Sequence, residues 1–273
     1  MKYIYLAISV LLFTACEDVI DLSLKEGPKR LVIDANINVN KSLSETDNPQ
    51  KIRLSQTSGF YDVTIPPANE ASVIITSSSD GPFEFLEEGT TGIYKITDFK
   101  PTVGEEYTLT IVYNGQTFTA KETMMSVADI QSTIQTTENF FGTDVIKIEH
   151  FFEDPENEIN FYINQFNYPT SLIDSYGARP DDFTNGQLNS VFDQNEEFTA
   201  GETHTLYFYG ASEQYFNYFN LLLDQISSRG PFGTPPASVK GNCINKTNPD
   251  SKPLGYFRLS EMVVLPYIIK ETE

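Results

Sequence analysis

Two cysteines and two histidines supply the obvious nucleophiles and soft metal ligands of this 273-residue chain, and their spacing separates them. Cys16 follows Lys2, an apolar run from Tyr3 to Phe13 and the small pair Thr14-Ala15. A basic start, a short apolar core and small residues before a cleavage point form a secretory signal, and a cysteine just after it is what bacterial lipid modification acylates. Eleven residues at about 1.5 Å each cannot cross a bilayer as a helix. The expectation is a chain that starts at Cys16 after cleavage, carries acyl chains there and is tethered to a membrane outside the cytoplasm. Cys243 is then left without an intramolecular partner. Its neighbours Asn242, Ile244 and Asn245 include neither a histidine nor a basic cluster to lower its pKa, so it reads as a packed thiol.

His150 alternates with Ile148 and Phe152, and His204 precedes Leu206 and Phe208 at the same period. Both rings are therefore expected to face inward, and a zinc site would need more ligands close by. Glu153, Asp154, Glu156 and Glu158 could offer oxygens to Ca²⁺, but the spacing is not that of an EF-hand loop and no glycine takes its sharp turn. A solvated turn is the simpler reading. Asp181-Asp182 and Glu196-Glu197 are paired carboxylates in loops. Glycosidase chemistry needs two carboxyls at a set separation across a cleft, which adjacency in sequence does not supply. There is no Gly-x-Ser-x-Gly elbow, phosphate-binding glycine loop or redox cysteine pair. The chain is expected to be non-enzymatic, with no metal and no cofactor.

The chain has 18 basic and 38 acidic residues, and removing residues 1–15, which hold one lysine and no acid, moves its formal charge from −20 to −21. Nucleic acid is excluded as a partner, because neutralising a phosphate backbone needs a basic patch. Adhesion of the whole chain to anionic lipid by charge is excluded as well, so a membrane link must be the anchor itself. Fifteen Tyr and 20 Phe with no Trp supply aromatic surface for sheets and interfaces.

The elements that must position these groups are mostly strands. Leu31, Ile33, Ala35, Ile37 and Val39 recur at period two. Short runs follow at 51–55, 71–76, 92–97, 106–113 and 117–123, the last two joined by Asn114-Gly115, whose positive φ angles suit a type I′ hairpin turn. The fold expectation is mainly β: an N-terminal Ig/transthyretin-like antiparallel β-sandwich, then a second β-rich domain carrying one α-helix at about 212–229. The expected divisions are a signal peptide over 1–15, a tether over 16–28, the sandwich over 29–125, a linker over 126–142 and the second domain over 143–273. Within the last, strands are expected at 145–152, 159–166 and 203–209, with loop over 167–202.

Ser212 can cap the helix, Glu213 suits its first turn, and Gly230-Pro231 stop it. Tyr215, Phe216, Phe219, Leu222, Leu223 and Ile226 form an apolar stripe for the second sheet. Tyr218 and Leu221 lie partly off the stripe, where a partner protein could cover them. The tail carries a short strand around 255–259 and a last one over 262–269, which Pro266 demotes to a sheet edge. Tyr168, Tyr176, Phe183 and Phe232 could stack on a glycan or on apolar side chains from the loops at 167–202 and 230–253.

Several segments together resemble the DUF4249 family of Bacteroidota outer-membrane lipoproteins. They are Cys16-Glu17-Asp18-Val19-Ile20-Asp21, Arg30 to Ala35, Ile52 to Ser55 and Gly104 to Leu109, then Tyr215 to Asn220, Gly230 to Pro236, Val239 to Cys243 and Leu254 to Phe257. The resemblance implies an outer-membrane lipoprotein associated with a TonB-dependent transporter as an accessory or ligand-capturing subunit. It implies that Glu17 and Asp18, just behind the lipidated cysteine, act as a surface-export signal. It carries over no catalytic residue. A stand-alone glycan- or peptide-binding surface lipoprotein is the alternative, and a hydrolase the third reading.

Overall fold

The computed structural model describes residues 27–44, 47–140, 142–181, 184–227 and 239–271. Cys16, Glu17, Asp18, Phe183, Phe232 and the Gly230-Pro231 helix stop lie outside the described residues. The protein is mainly β, with one helix among the described residues.

Alternation in the first third produces the strands β1 (Leu31–Asn40), β2 (Gln50–Gln56), β3 (Ser72–Ser77), β4 (Phe83–Glu87), β5 (Ile93–Ile96), β6 (Glu106–Tyr113) and β7 (Gln116–Thr123). Leu31, Ile33, Ala35 and Ile37 are buried, as their period requires. At the Asn114-Gly115 turn φ is 49° and 72°, and Tyr113 pairs with Gln116 across it, the expected two-residue hairpin. β4 changes partner along its length: Val73 and Ile75 of β3 take Phe85 and Phe83, whereas Leu86 and Glu87 pair with β5. That change folds the sheet over on itself. Ile33, Ile37, Ile52, Leu54 and Tyr94 thereby meet Val73, Ile75, Tyr107, Leu109 and Ile111 in one core.

The second half begins with β8 (Ile130–Phe140) and β9 (Thr143–Glu153). The expected linker 126–142 thus contains an eleven-residue strand. Its weak pattern has a physical cause: β8 is the edge of a three-stranded sheet, order β12-β9-β8, and none of its described side chains is fully buried. The expected loop 167–202 likewise contains β11 (Ser175–Pro180) and β12 (Leu188–Asn195), beside β10 (Phe161–Asn167) and β13 (Thr203–Ala211). The helix α1 (Glu213–Ser227) follows directly, and Ser212 caps it: its Oγ accepts the Tyr215 N–H at 3.2 Å.

After the helix the chain returns to the first half. β14 (Ile244–Asn245) pairs with β7, and β15 (Leu254–Ile268) is one fifteen-residue strand rather than two. Its first part runs parallel to β1 from Leu254 to Met262, and its second part runs antiparallel to β13 from Met262 to Ile268. β1–β15 is the one parallel ladder among those described. β15 therefore joins the halves into a twelve-stranded sheet of order β11-β10-β13-β15-β1-β2-β5-β4-β3-β6-β7-β14. Pro266 sits beyond Met262, where β15 keeps β13 and has lost β1, consistent with the expected edge.

The second half is layered by the alternation of β13. Leu206 and Phe208 face Phe152 and Val191 of the three-stranded sheet. Tyr209 and Ala211 face the other way, into a core with Tyr215 of the helix and Tyr256. No helix among the described residues is long and apolar enough to cross a membrane.

Candidate functional site

The helix presents the surface on which the sequence-predicted contact residues converge. Tyr215 is buried, and Phe216, Tyr218, Phe219, Leu222 and Leu223 are half-buried, so most of the apolar stripe packs as expected. Ile226 does not. It is 62% exposed, because the stripe rotates off the sheet by the last helical turn. Phe161 of β10 packs on Phe216 at 5.0 Å, and Tyr176 of β11 meets Phe219 edge-on at 6.0 Å. Tyr218 lies 4.8 Å from Tyr256, and burial raises its phenol to about 12. Leu221 is 48% exposed and Tyr176 45%. The structure thus brings Tyr176, Tyr218 and Leu221 onto one element pair: Tyr176 and Leu221 open to solvent, Tyr218 mostly occupied inside.

Beneath this face lie two buried ionisable side chains, Arg258 and Glu122, that the sequence reading did not single out. Arg258 of β15 is 4% exposed, and its guanidinium is held between the rings of Tyr209 and Tyr215, 4.6 and 4.8 Å from their centroids. Two aromatic faces suit a weakly hydrated planar cation. Its Nη2 donates to Asn38 of β1. Glu122 of β7 is 7% exposed and accepts the Ser212 hydroxyl at 3.0 Å, the Tyr256 hydroxyl at 3.1 Å and the Thr123 N–H at 3.0 Å. Burial holds its carboxyl above the usual range, against the pull of those bonds and of Arg258. One acid thereby ties the helix cap to β7 and to β15. The available signal was a lone charge inside an apolar alternation, Phe257-Arg258-Leu259, with Glu122 in β7.

The histidines do face inward, both fully buried. His150 of β9 and His204 of β13 stack at 6.0 Å with 13° between ring planes, across the gap between the two sheets of the second half. His150 Nδ1 is 2.8 Å from Thr133 Oγ1, and His204 Nε2 is 3.0 Å from Asp193 Oδ2. The other ring nitrogens, His150 Nε2 and His204 Nδ1, are buried without a hydrogen-bond partner. Burial, then the neighbouring imidazole, lowers His150 to about 4. Phe166 and Phe198 flank His204 at 5.2 and 5.3 Å.

The acidic joint is a solvated turn at Glu153, Glu156 and Glu158, which are exposed. Asp154 departs from that expectation. It is 2% exposed, accepts the Tyr162 hydroxyl at 2.6 Å and the Gly186 N–H at 3.3 Å, and is raised by burial. Asp181 is buried beside it and caps Asn160 by accepting its N–H at 2.8 Å. No group of three or more His, Cys, Asp or Glu among the described residues is placed to hold a metal ion. Tyr168 is buried, and its hydroxyl donates to Glu197 O at 2.7 Å, so it braces a turn and offers no ring to a ligand.

Cys243 is 8% exposed in the first core, and burial pushes its thiol up to about 12. In a chain lacking Cys16, a disulfide reagent at pH 8 is expected to react on the order of 10³-fold more slowly with the folded than with the unfolded protein. Equal rates would place the thiol at the surface.

A family profile described as "Domain of unknown function (DUF4249)" matches residues 17–263. No curated protein matches. Among solved structures, the chain is similar to a cytokine receptor complex at 8% identity, over 66% of this chain and 83% of that one, with a TM-score of 0.26. A two-domain fibronectin type-III segment of chicken tenascin matches at 12% identity over 68% and 91%, TM-score 0.22. The FN1–FN3 domains of chicken CNTN1 match at 9% identity over 87% and 65%, TM-score 0.20.

Proposed function

Because this chain belongs to the DUF4249 family, we propose that it is a non-enzymatic outer-membrane lipoprotein, anchored through Cys16 and exposed at the cell surface, that serves a TonB-dependent transporter as an accessory or ligand-capturing subunit. The observation that carries the partner-binding part is the helix–β11 face. Tyr176 and Leu221 stand open there above a platform held by Arg258, Glu122 and the packed rings of Tyr215, Tyr218 and Tyr256. Exposed aromatic and aliphatic groups on a rigid base are the composition of an interface centre, since little side-chain entropy is lost when a partner covers them. The surplus of acid over base keeps the rest of the surface soluble.

Two measurements separate the parts of this reading. The mass of the N-terminal peptide from membranes is expected to show acylation of Cys16, and an unmodified, uncleaved N-terminus would remove the anchor. Tagged protein solubilised in mild detergent is expected to bring down an outer-membrane β-barrel, with Leu221→Asp reducing recovery at least about tenfold at unchanged thermal stability. Recovery of no barrel, or equal recovery by Leu221→Asp, would count against the accessory role and this face respectively. The stand-alone glycan- or peptide-binding reading rests on Tyr176, whose ring is open, since Tyr168 is buried. Ligand capture by the isolated soluble chain, lost in Tyr176→Ala, would favour it.

A further inference from the structure

We propose that the loop between β2 and β3, carrying Phe60, Tyr61, Val63 and Ile65, inserts into the lipid surface to which the chain is anchored and sets the molecule upright on it. The inference rests on the anchor reading and adds the orientation. In the loop Phe60 is 81% exposed, Tyr61 69%, Val63 97% and Ile65 59%, a density of open apolar side chains that a solvated turn does not need. The loop is also shaped. Gln56 N–H donates to Pro66 O at 2.9 Å and closes its base. At the tip Asp62 N–H donates to Gly59 O at 3.1 Å while the Asp62 carboxylate accepts Gly59 N–H at 2.7 Å. Phe60 and Tyr61 leave this turn edge to face, 5.2 Å apart.

Position in the fold names the occupant. Thr57, at the base of the loop, exchanges hydrogen bonds with Arg30: Thr57 N–H to Arg30 O, and Arg30 N–H to Thr57 Oγ1, both at 3.0 Å. The apolar loop therefore projects beside the point where the chain enters the sandwich. Only residues 17–26 separate Cys16 from the first described residue, Gly27, a reach of at most about 40 Å. An anchored chain thus holds this end near the bilayer. The same end carries both signs of charge within an acidic protein, with Lys29, Arg30, Lys246 and Lys252 beside Asp62, Glu70, Glu87, Glu88 and Asp250, so insertion depends on the apolar side chains and not on charge. A second open apolar tip, Leu172 at 101% and Ile173 at 79%, lies at the opposite extremity. It follows β10, whose Asn167 pairs with Thr205 opposite Pro266, near the far end of the fifteen-residue β15 that begins beside β1. The steps from Leu254 to Pro266, at about 3.3 Å each, let that strand separate the two ends by up to about 40 Å.

The absence of tryptophan makes the test direct. Phe60→Trp, Val63→Trp and Leu172→Trp each install a sole reporter at an exposed position. The chain from Cys16 onward is coupled through that cysteine to maleimide lipid in vesicles of phosphatidylcholine and phosphatidylglycerol, Cys243 being buried. Emission of Phe60→Trp and Val63→Trp is expected to shift to shorter wavelength and to be quenched by brominated acyl chains, while Leu172→Trp stays at its solution wavelength and unquenched. Adding Ile65→Asp to Val63→Trp should reverse its shift. Unshifted reporters in the loop, or an equal shift at Leu172→Trp, would overturn the proposal. Chemical coupling makes this outcome independent of whether cells acylate Cys16, so failure of the loop and failure of the anchor are read separately.

Discussion

Gly255→Ala is expected to be the most damaging single substitution in the described chain, lowering stability by on the order of 4 kcal/mol or preventing accumulation of folded protein. Gly255 has φ of +96°, a region that side chains with a Cβ rarely enter. Space is a second obstacle. A Cβ there would lie 1.9 Å from Ile33 O and 2.8 Å from its carbonyl carbon, and both are backbone atoms of the paired strand that cannot rotate away. Behind it Gly241 packs so tightly that its own Cβ would lie 1.6 Å from Gly255 O. The strand would have to separate from β1 just ahead of Tyr256, Phe257 and Arg258, and so release both cores it joins. Gly115→Ala is the control, with φ of +72° and nothing within 4 Å, so it carries the backbone strain alone, about 1 kcal/mol. Urea unfolding of both variants reads the difference. A Gly255→Ala protein no weaker than Gly115→Ala would show that β15 does not hold this register.

His150→Phe is expected to remove a large acid sensitivity. The folded-state pKa of His150, about 4, lies below the ordinary 6.5 of an exposed histidine because the ring is buried and stacked on His204. The unfolded chain therefore binds a proton more readily than the folded one between these values. Stability from this group is complete above pH 6.5, falls as pH drops toward 4, and is lost by about 3 kcal/mol at that point. Asp193, bonded to His204, faces the pair and opposes only part of this. Phenylalanine keeps a ring next to Phe166 and takes no proton, so the stability difference between pH 7 and pH 4 should shrink by about that amount relative to wild type. Parallel pH profiles for the two proteins would mean that the histidine stack opens without cost.

Much of the architecture follows from local pattern. The period-two burial of β1, the Asn114-Gly115 hairpin and the Ser212-capped helix each depend on residues within a few positions of one another, and each forms where that pattern places it. The inward direction of His150 and His204 was legible for the same reason, through their apolar neighbours. β8 was not, because an edge strand with mostly exposed side chains has no apolar period to reveal it. Nor was β15 as a single strand. It reads as two pieces, around 255–259 and over 262–269, yet each half is kept extended by a different partner, β1 and then β13.

The candidate contact surface divides the same way. Leu221 could be placed off the helix stripe by counting residues, but Arg258 and Glu122, which hold that helix, are drawn together from β15 and β7. Phe60 to Ile65 has the composition of a short strand, and only the closed loop between Gln56 and Pro66 turns it outward beside Arg30. By itself the sequence determined the period-two burial of β1, the Asn114-Gly115 hairpin and the capped helix, since period and capping act over short separations. Tertiary structure alone decided that the last strand unites both halves, that two histidines stack and that an apolar tip shares an end with the chain's entry. Partner choice between strands depends on contacts up to the length of the chain apart, and the same apolar alternation serves a parallel or antiparallel neighbour, so pattern cannot select between them.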